Sequence, residues 1–157
     1  MSLLIPISIE LTSSEIMGAA ITGVMRQTQN LKLGRKPAYG AGKDNDWQLN
    51  IEGALGEAAL AKHLDHYWLG TGVLRSPDVG KVDVRTTTHP KGRLIIHKED
   101  PDDRRFYLLI GCNGKYMLHG SIMGADAKRD EWWSDPNTGR PAYFVPQSAL
   151  GYAVEMS

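Results

Sequence analysis

Cysteine is nearly absent from this chain. Cys112 is the single one among 157 residues, which excludes an intramolecular disulfide and suits a reducing compartment. Long apolar runs are missing too. No stretch approaches the ~20 apolar residues of a membrane span, and the opening MSLLIPISIE has no basic start and is broken by Pro6, Ser8 and Glu10, which argues against a secretory signal. Net charge is also lacking, with 18 Lys and Arg against 18 Asp and Glu, so no chain-wide field draws polyanions in. A single domain over residues 1–157, in the cytoplasm and with no membrane partner, is the expectation.

Charge is present locally. Arg26, Lys32, Arg35, Lys36 and Lys43 fall in a stretch without acids, and Lys81, Arg85, Lys91, Arg93 and Lys98 fall in a second with only Asp83 among them. Solvated surface is the plain reading of each, and a nucleic-acid contact is the pointed one. Thr12 with Glu15 spells a capping box, and Ile16, Ala20, Ile21, Val24 and Met25 recur at helical spacing, which predicts a helix over residues 13–29. Gly18 and Gly23 inside it imply close packing against another element. Residues 30–45, with Gly34, Pro37, Gly40 and Gly42, read as a basic loop. A second helix is expected over 46–64, capped by Asp44 or Asn45, with Ile51, Leu55, Ala58, Ala59 and Leu60 on its apolar side.

The period then changes from 3.6 to 2. Residues 81–88, 93–98, 105–110 and 115–122 read as strands joined by short connections, one of them the type I′ pair Asn113-Gly114, so an antiparallel meander follows the two helices. Short helices are expected near 124–133 and 146–151. The fold class is α+β: two N-terminal helices, then an antiparallel or mixed sheet.

Two places carry chemistry. Glu57 has Gly53, Ala54, Leu60 and Ala61 as its helical neighbours, so it must be exposed at a helix edge, paired with a cation or bound to a metal. In the segment from Pro77 to Arg85, strand alternation sets Val82 and Val84 against Asp83 and Arg85, and a tight turn at Gly80 brings Asp78 beside Asp83. Two carboxylates held close need a counter-ion, and Mg²⁺ serves with one or two carboxylates plus water and phosphate oxygens. Taken alone, the segment reads more plainly as a surface hairpin whose acids pair with Arg85 and Lys81.

In order and spacing, Gly56-Glu57-Ala58-Ala59, Pro77-Asp78 and Asp83-Val84-Arg85 resemble the PD-(D/E)XK, or restriction-endonuclease-like, nuclease superfamily, and more narrowly its small phage-encoded members. The resemblance covers about residues 50–122. It implies a restriction-endonuclease-like core and a metal-dependent DNA nuclease, in the host cytoplasm if phage-encoded. Asp78, Asp83 and the Val84 carbonyl would hold Mg²⁺ or Mn²⁺, Glu57 would be a ligand or orient water, and Arg85 would stabilise charge on the phosphate. Arg35, Lys36, Lys43 and Lys81 would contact DNA. The family's triplet ends in lysine where this chain has Arg85, which stays protonated and cannot act as a base. Lys81 and Lys98 are the candidates for a displaced lysine. The arginine keeps a second reading open: a catalytically inactive nucleic-acid-binding or interaction module that retains the fold. A homodimer is open under either.

Other signals are weaker. His63 and His66, three apart, have a spacing that can ligate zinc, but nothing completes a tetrahedral set, so solvated histidines at a helix end are the better reading. Cys112 has no sequence partner marking it as a nucleophile. Trp132 and Trp133 could stack on bases, although closing the edge of a core is commoner.

Overall fold

Helix α1, Ser13–Leu33, starts where the sequence dictates: Thr12 Oγ1 accepts the Glu15 amide at 3.2 Å and Glu15 Oε1 accepts the Thr12 amide at 2.7 Å. It runs one turn past expectation, to Gly34 in the left-handed region (φ 68°). The computed structural model describes residues 5–34, 46–70, 77–136 and 139–151, so Arg35, Lys36, Lys43 and the expected caps Asp44 and Asn45 lie outside the described residues.

Helix α2, Asp46–Leu64, packs along α1. Gly23 makes the approach possible, since a Cβ there would lie 2.5 Å from Ile51 Cα, and Asn50 Nδ2 donates to buried Gln27 Oε1 at 2.7 Å alongside. Gly18 behaves otherwise: among the described residues nothing stands within 4 Å of its Cβ position. The face of α1 turned inward is therefore Ala19, Gly23 and Gln27, while Ile21, Val24 and Met25, three of the residues whose spacing marked the helix, are exposed. Gly23→Ala must push backbone against backbone, so it should cost about 1–3 kcal/mol in urea unfolding, whereas Gly18→Ala should be neutral or stabilising. Equal effects at the two positions would contradict this packing.

Seven strands are found among the described residues, four of them on the segments that alternation marked, but they do not form a meander. They are β1 Ile7–Glu10, β2 Val82–Thr87, β3 Leu94–Ile96, β4 Arg105–Cys112, β5 Lys115–Met123, β6 Trp133–Ser134 and β7 Ala142–Val145. One sheet has the order β1-β5-β4-β2, with β4 antiparallel to β5 and parallel to β2; the other is antiparallel, in the order β3-β7-β6. The expected hairpin pairing of β3 is thus corrected. Leu94 and Ile96 are fully buried and pair with Val145 and Tyr143, far along the chain, so β3 leaves the first sheet and β4 returns beside β2 in the same direction.

The four-stranded sheet is the middle layer. On β4, Tyr107 and Leu109 face α2 with Val82 and Val84, while Phe106, Leu108 and Ile110 face Leu94, Ile96 and Val145 of the second sheet. Asn113 and Gly114 turn with φ 55° and 86°, both positive as a type I′ hairpin requires. The helix expected over 124–133 is a single turn, α3 Gly124–Ala127, then a 3₁₀ turn Asp130–Trp132 and β6; over 146–151 there is only a 3₁₀ turn, Gln147–Ala149. Trp133 packs edge-on against Tyr143 at 4.7 Å and Trp132 lies against the second core, so both aromatics close its edge. Among the described residues, no helix is long and apolar enough to cross a membrane.

Candidate functional site

The site begins at a two-residue turn. Val79 and Val82 exchange amide hydrogen bonds of 3.0 and 2.9 Å around Gly80, whose φ of 55° suits glycine. Asp78 and Asp83 are thereby set opposite one another. The Asp78 amide donates to Asp83 Oδ1 and the Val84 amide donates to Asp78 Oδ2, each at 3.0 Å. Strand β2 is the sheet's outer strand, so the Asp78 carboxylate takes the place that a neighbouring strand would fill at the Val84 amide. Lys81 is exposed at the tip of the turn.

Asp83 and Arg85 share the face of β2 turned toward the second sheet. Asp83, 6% exposed, receives Arg104 Nη1 at 3.2 Å and has Arg85 Nη1 at 4.0 Å. Arg85 donates to Asp100 Oδ2 at 3.1 Å and lies 5.0 Å over the Phe106 ring. Asp100 also accepts the His97 amide at 2.7 Å, and Lys128 donates to the Asp100 carbonyl at 2.5 Å. The side chain of Arg85 is therefore fixed from three directions.

Glu57 comes from α2 on the opposite side of the sheet. It is 8% exposed, paired in two-pronged fashion with Arg26 of α1 at 2.8 and 2.9 Å, and takes the Trp68 indole N–H at 3.2 Å. Of the three states the sequence allowed it, pairing with a cation is the one found. Burial would lower the Arg26 pKa, but Glu57 and, more weakly, Asp78 more than offset it, so the guanidinium is held more firmly charged. Asp78 moves furthest. Burial, then the negative charges of Glu57 and Asp83, push its carboxyl from 3.8 to about 7, against the opposing pull of the Val84 amide and Arg85.

The four candidates Glu57, Asp78, Asp83 and Arg85 thus meet in one ionic network, to which the sequence reading had not assigned Arg26, Trp68, Asp100, Arg104 or Lys128. Arg26 carried a signal that was there to be used, since it is the only charged residue on α1 between Glu15 and Lys32. Val84 enters the network through its amide. Lys98 is exposed and offers its carbonyl to Lys128 at 3.1 Å. His63 and His66 do not share a helix face: α2 ends at Leu64, Asp65 turns left-handed at φ 55°, and the His66 ring packs against Gly80. Cys112 is exposed beside the Asn113 turn.

Among the described residues, no three Asp, Glu, His or Cys side chains are disposed to hold a metal ion together. Asp78 and Asp83 match in kind the one or two carboxylates that Mg²⁺ uses alongside water and phosphate oxygens, and their excess negative charge is what a cation relieves. Glu57 could join them only by exchanging Arg26. At the far end of β2 a cavity of about 380 Å³ opens between Gln48, Glu52, Thr86 and Thr88. There Glu52 fastens the β4–β5 turn to α2, by accepting the Asn113 amide and Tyr116 hydroxyl at 3.2 Å each. Comparison with protein-family models, with curated proteins and with solved structures finds no match.

Proposed function

We propose that this chain is a metal-dependent DNA nuclease with a restriction-endonuclease-like core, working at the Asp78–Asp83 hairpin. The observation that carries the reading is the Asp78 carboxyl, set against Asp83 and near Glu57 and raised to about 7, because such a cluster is short of positive charge. Asp78, Asp83 and the Val84 carbonyl would hold Mg²⁺ or Mn²⁺. That ion would lower the pKa of a bound water and stabilise charge on the scissile phosphate. Arg85, fixed by Asp100 and Phe106, presents a permanent positive charge beside the carboxylates, where a phosphate would approach. Glu57 orients water once Arg26 turns from it to the phosphate. Lys81 at the turn and Arg35, Lys36 and Lys43 supply sequence-independent backbone contacts.

A specific observation favours the second reading, an inactive module that binds nucleic acid or a partner. Both oxygens of Glu57 are occupied by Arg26, and Arg85 already has Asp100 as its partner. Cleavage assays on single-stranded, double-stranded and branched DNA, combined with Mn²⁺ calorimetry, separate the two. The nuclease reading expects wild type to cut only with Mg²⁺ or Mn²⁺. Arg85→Ala should then keep metal and lose cleavage, and Asp83→Asn should lose both. Wild type that binds DNA but cuts nothing with either ion establishes the module instead.

A further inference from the structure

Counted oxygen by oxygen, the two carboxylates of the hairpin leave few places for a cation. Asp83 Oδ1 accepts the Asp78 amide and Asp78 Oδ2 accepts the Val84 amide, so one oxygen of each is committed to the chain's own backbone. Asp78 Oδ1 and Asp83 Oδ2 remain as the pair that an ion lying between the two side chains would share. Arg104 Nη1 already sits on Asp83 Oδ2 at 3.2 Å, with Arg85 Nη1 farther off at 4.0 Å. A cation entering the hairpin therefore competes with Arg104 for one oxygen, since two positive charges crowded there repel.

The two arginines are held differently. Arg85 has Asp100 Oδ2 at 3.1 Å and the Phe106 ring beneath it, so it keeps its place whether or not Asp83 is taken. Arg104 is fixed through its backbone. Its carbonyl accepts the Gly124 amide at 2.8 Å and its amide donates to the Pro101 carbonyl at 3.4 Å, an approach that glycine permits, because a Cβ at position 124 would run into the Pro101 carbonyl oxygen. Lys128 steadies the same loop by binding the Asp102 carboxylate at 2.6 Å and the Asp100 carbonyl at 2.5 Å. Because Val82 pairs with Arg105, the Cα of Arg104 stands at the head of β4 beside the Asp78–Asp83 turn, and only its long side chain has to rotate for the guanidinium to change partner. A guanidinium displaced from a carboxylate suits a phosphate, which offers the same two-pronged acceptor geometry.

We propose that Arg104 is a metal-released phosphate contact: it holds Asp83 while the hairpin is without a cation, and passes to a DNA phosphate when a divalent ion takes the Asp83 oxygen. Metal and DNA then strengthen one another's binding by linkage. The inference rests on the nuclease reading for its two ligands and adds the residue that couples them. Calorimetry with Mn²⁺, and anisotropy with a fluorescent phosphorothioate duplex that keeps the backbone charge and resists cutting, test it on the full chain. Saturating Mn²⁺ should tighten DNA binding at least about tenfold. Arg104→Met should bind Mn²⁺ more tightly than wild type, since the competitor is gone, and yet bind DNA more weakly in Mn²⁺, with a salt slope smaller by about one. In EDTA its DNA affinity should equal that of wild type. A merely structural role would not move the two affinities in opposite directions. Arg104→Lys, which keeps a charge on Asp83, guards against misfolding: it should melt as wild type does and lose most of the Mn²⁺-dependent gain. A wild type that takes up no Mn²⁺ overturns the metal site of the nuclease reading and this inference with it. Mn²⁺ uptake without the gain in DNA affinity, or a loss in Arg104→Met that is equal in EDTA, overturns the role of Arg104 alone and leaves the metal site standing.

Discussion

Arg26→Met should destabilise the protein by about 3–5 kcal/mol in urea unfolding at neutral pH, the largest effect expected of any single change in the ionic network. The substitution leaves Glu57 buried, stripped of both guanidinium hydrogen bonds and facing the charge of Asp78, with the Trp68 indole as its remaining donor among the described residues. The cost comes from that stranded charge rather than from the worth of the pair. Arg26 Nε is itself buried without a hydrogen-bond partner, so the pair is an expensive one to maintain. Arg26→Met combined with Glu57→Gln should therefore recover most of the loss, in a strongly non-additive cycle. Mn²⁺ should recover part of it in the single variant if Asp78 and Asp83 take a cation, because the ion replaces the missing positive charge. A loss below about 1 kcal/mol would show that Glu57 reaches solvent and that the helix pair does not bury it.

What could be read from the sequence was local. The Thr12–Glu15 capping box, the turn at Gly80 that sets Asp78 against Asp83, and the Asn113-Gly114 hairpin each depend on residues a few positions apart, and each is found as expected. Glu57 could be recognised as anomalous because its own helix supplied no neighbour for it. Its partner could not be identified, since Arg26 lies 31 residues away and meets it only once α1 has packed on α2 through Gly23. Sheet order was hidden for a related reason. Alternation marks β3 as a strand, but its pairing with β7 across some fifty residues is set by burial of Leu94 and Ile96 against both β4 and β7. Helical spacing identified α1 but not the face it buries. Ile21, Val24 and Met25 supplied the period, while small residues and Gln27 made the contact.

Asp78→Asn should leave stability nearly unchanged near pH 4 and raise it by about 2–4 kcal/mol above pH 7, a difference that grows steadily between. The folded chain holds the Asp78 proton to about pH 7 where the unfolded chain releases it near 3.8. Folding therefore takes up a proton in that window. The stability this contributes is complete below the unfolded value, declines as pH rises through the folded one, and is gone above it. Asparagine does not titrate, and its side-chain oxygen can still accept the Val84 amide, so the variant keeps the hydrogen bond and avoids the repulsion from Glu57 and Asp83. Urea unfolding of both proteins across pH 4–8 measures the gap directly, and a flat gap would mean that the three carboxylates do not share one field. Divalent metal adds a second axis. If the pair holds Mn²⁺, the ion competes with the proton, so it should stabilise wild type more at pH 8 than at pH 5 and narrow the gap at the alkaline end. Asp78→Asn, with one carboxylate fewer, should gain much less. A gap that ignores Mn²⁺ at every pH while still opening between 4 and 7 would keep the buried acid pair and remove the metal from it, leaving Asp83 to Arg85 and Arg104, the cations it meets among the described residues.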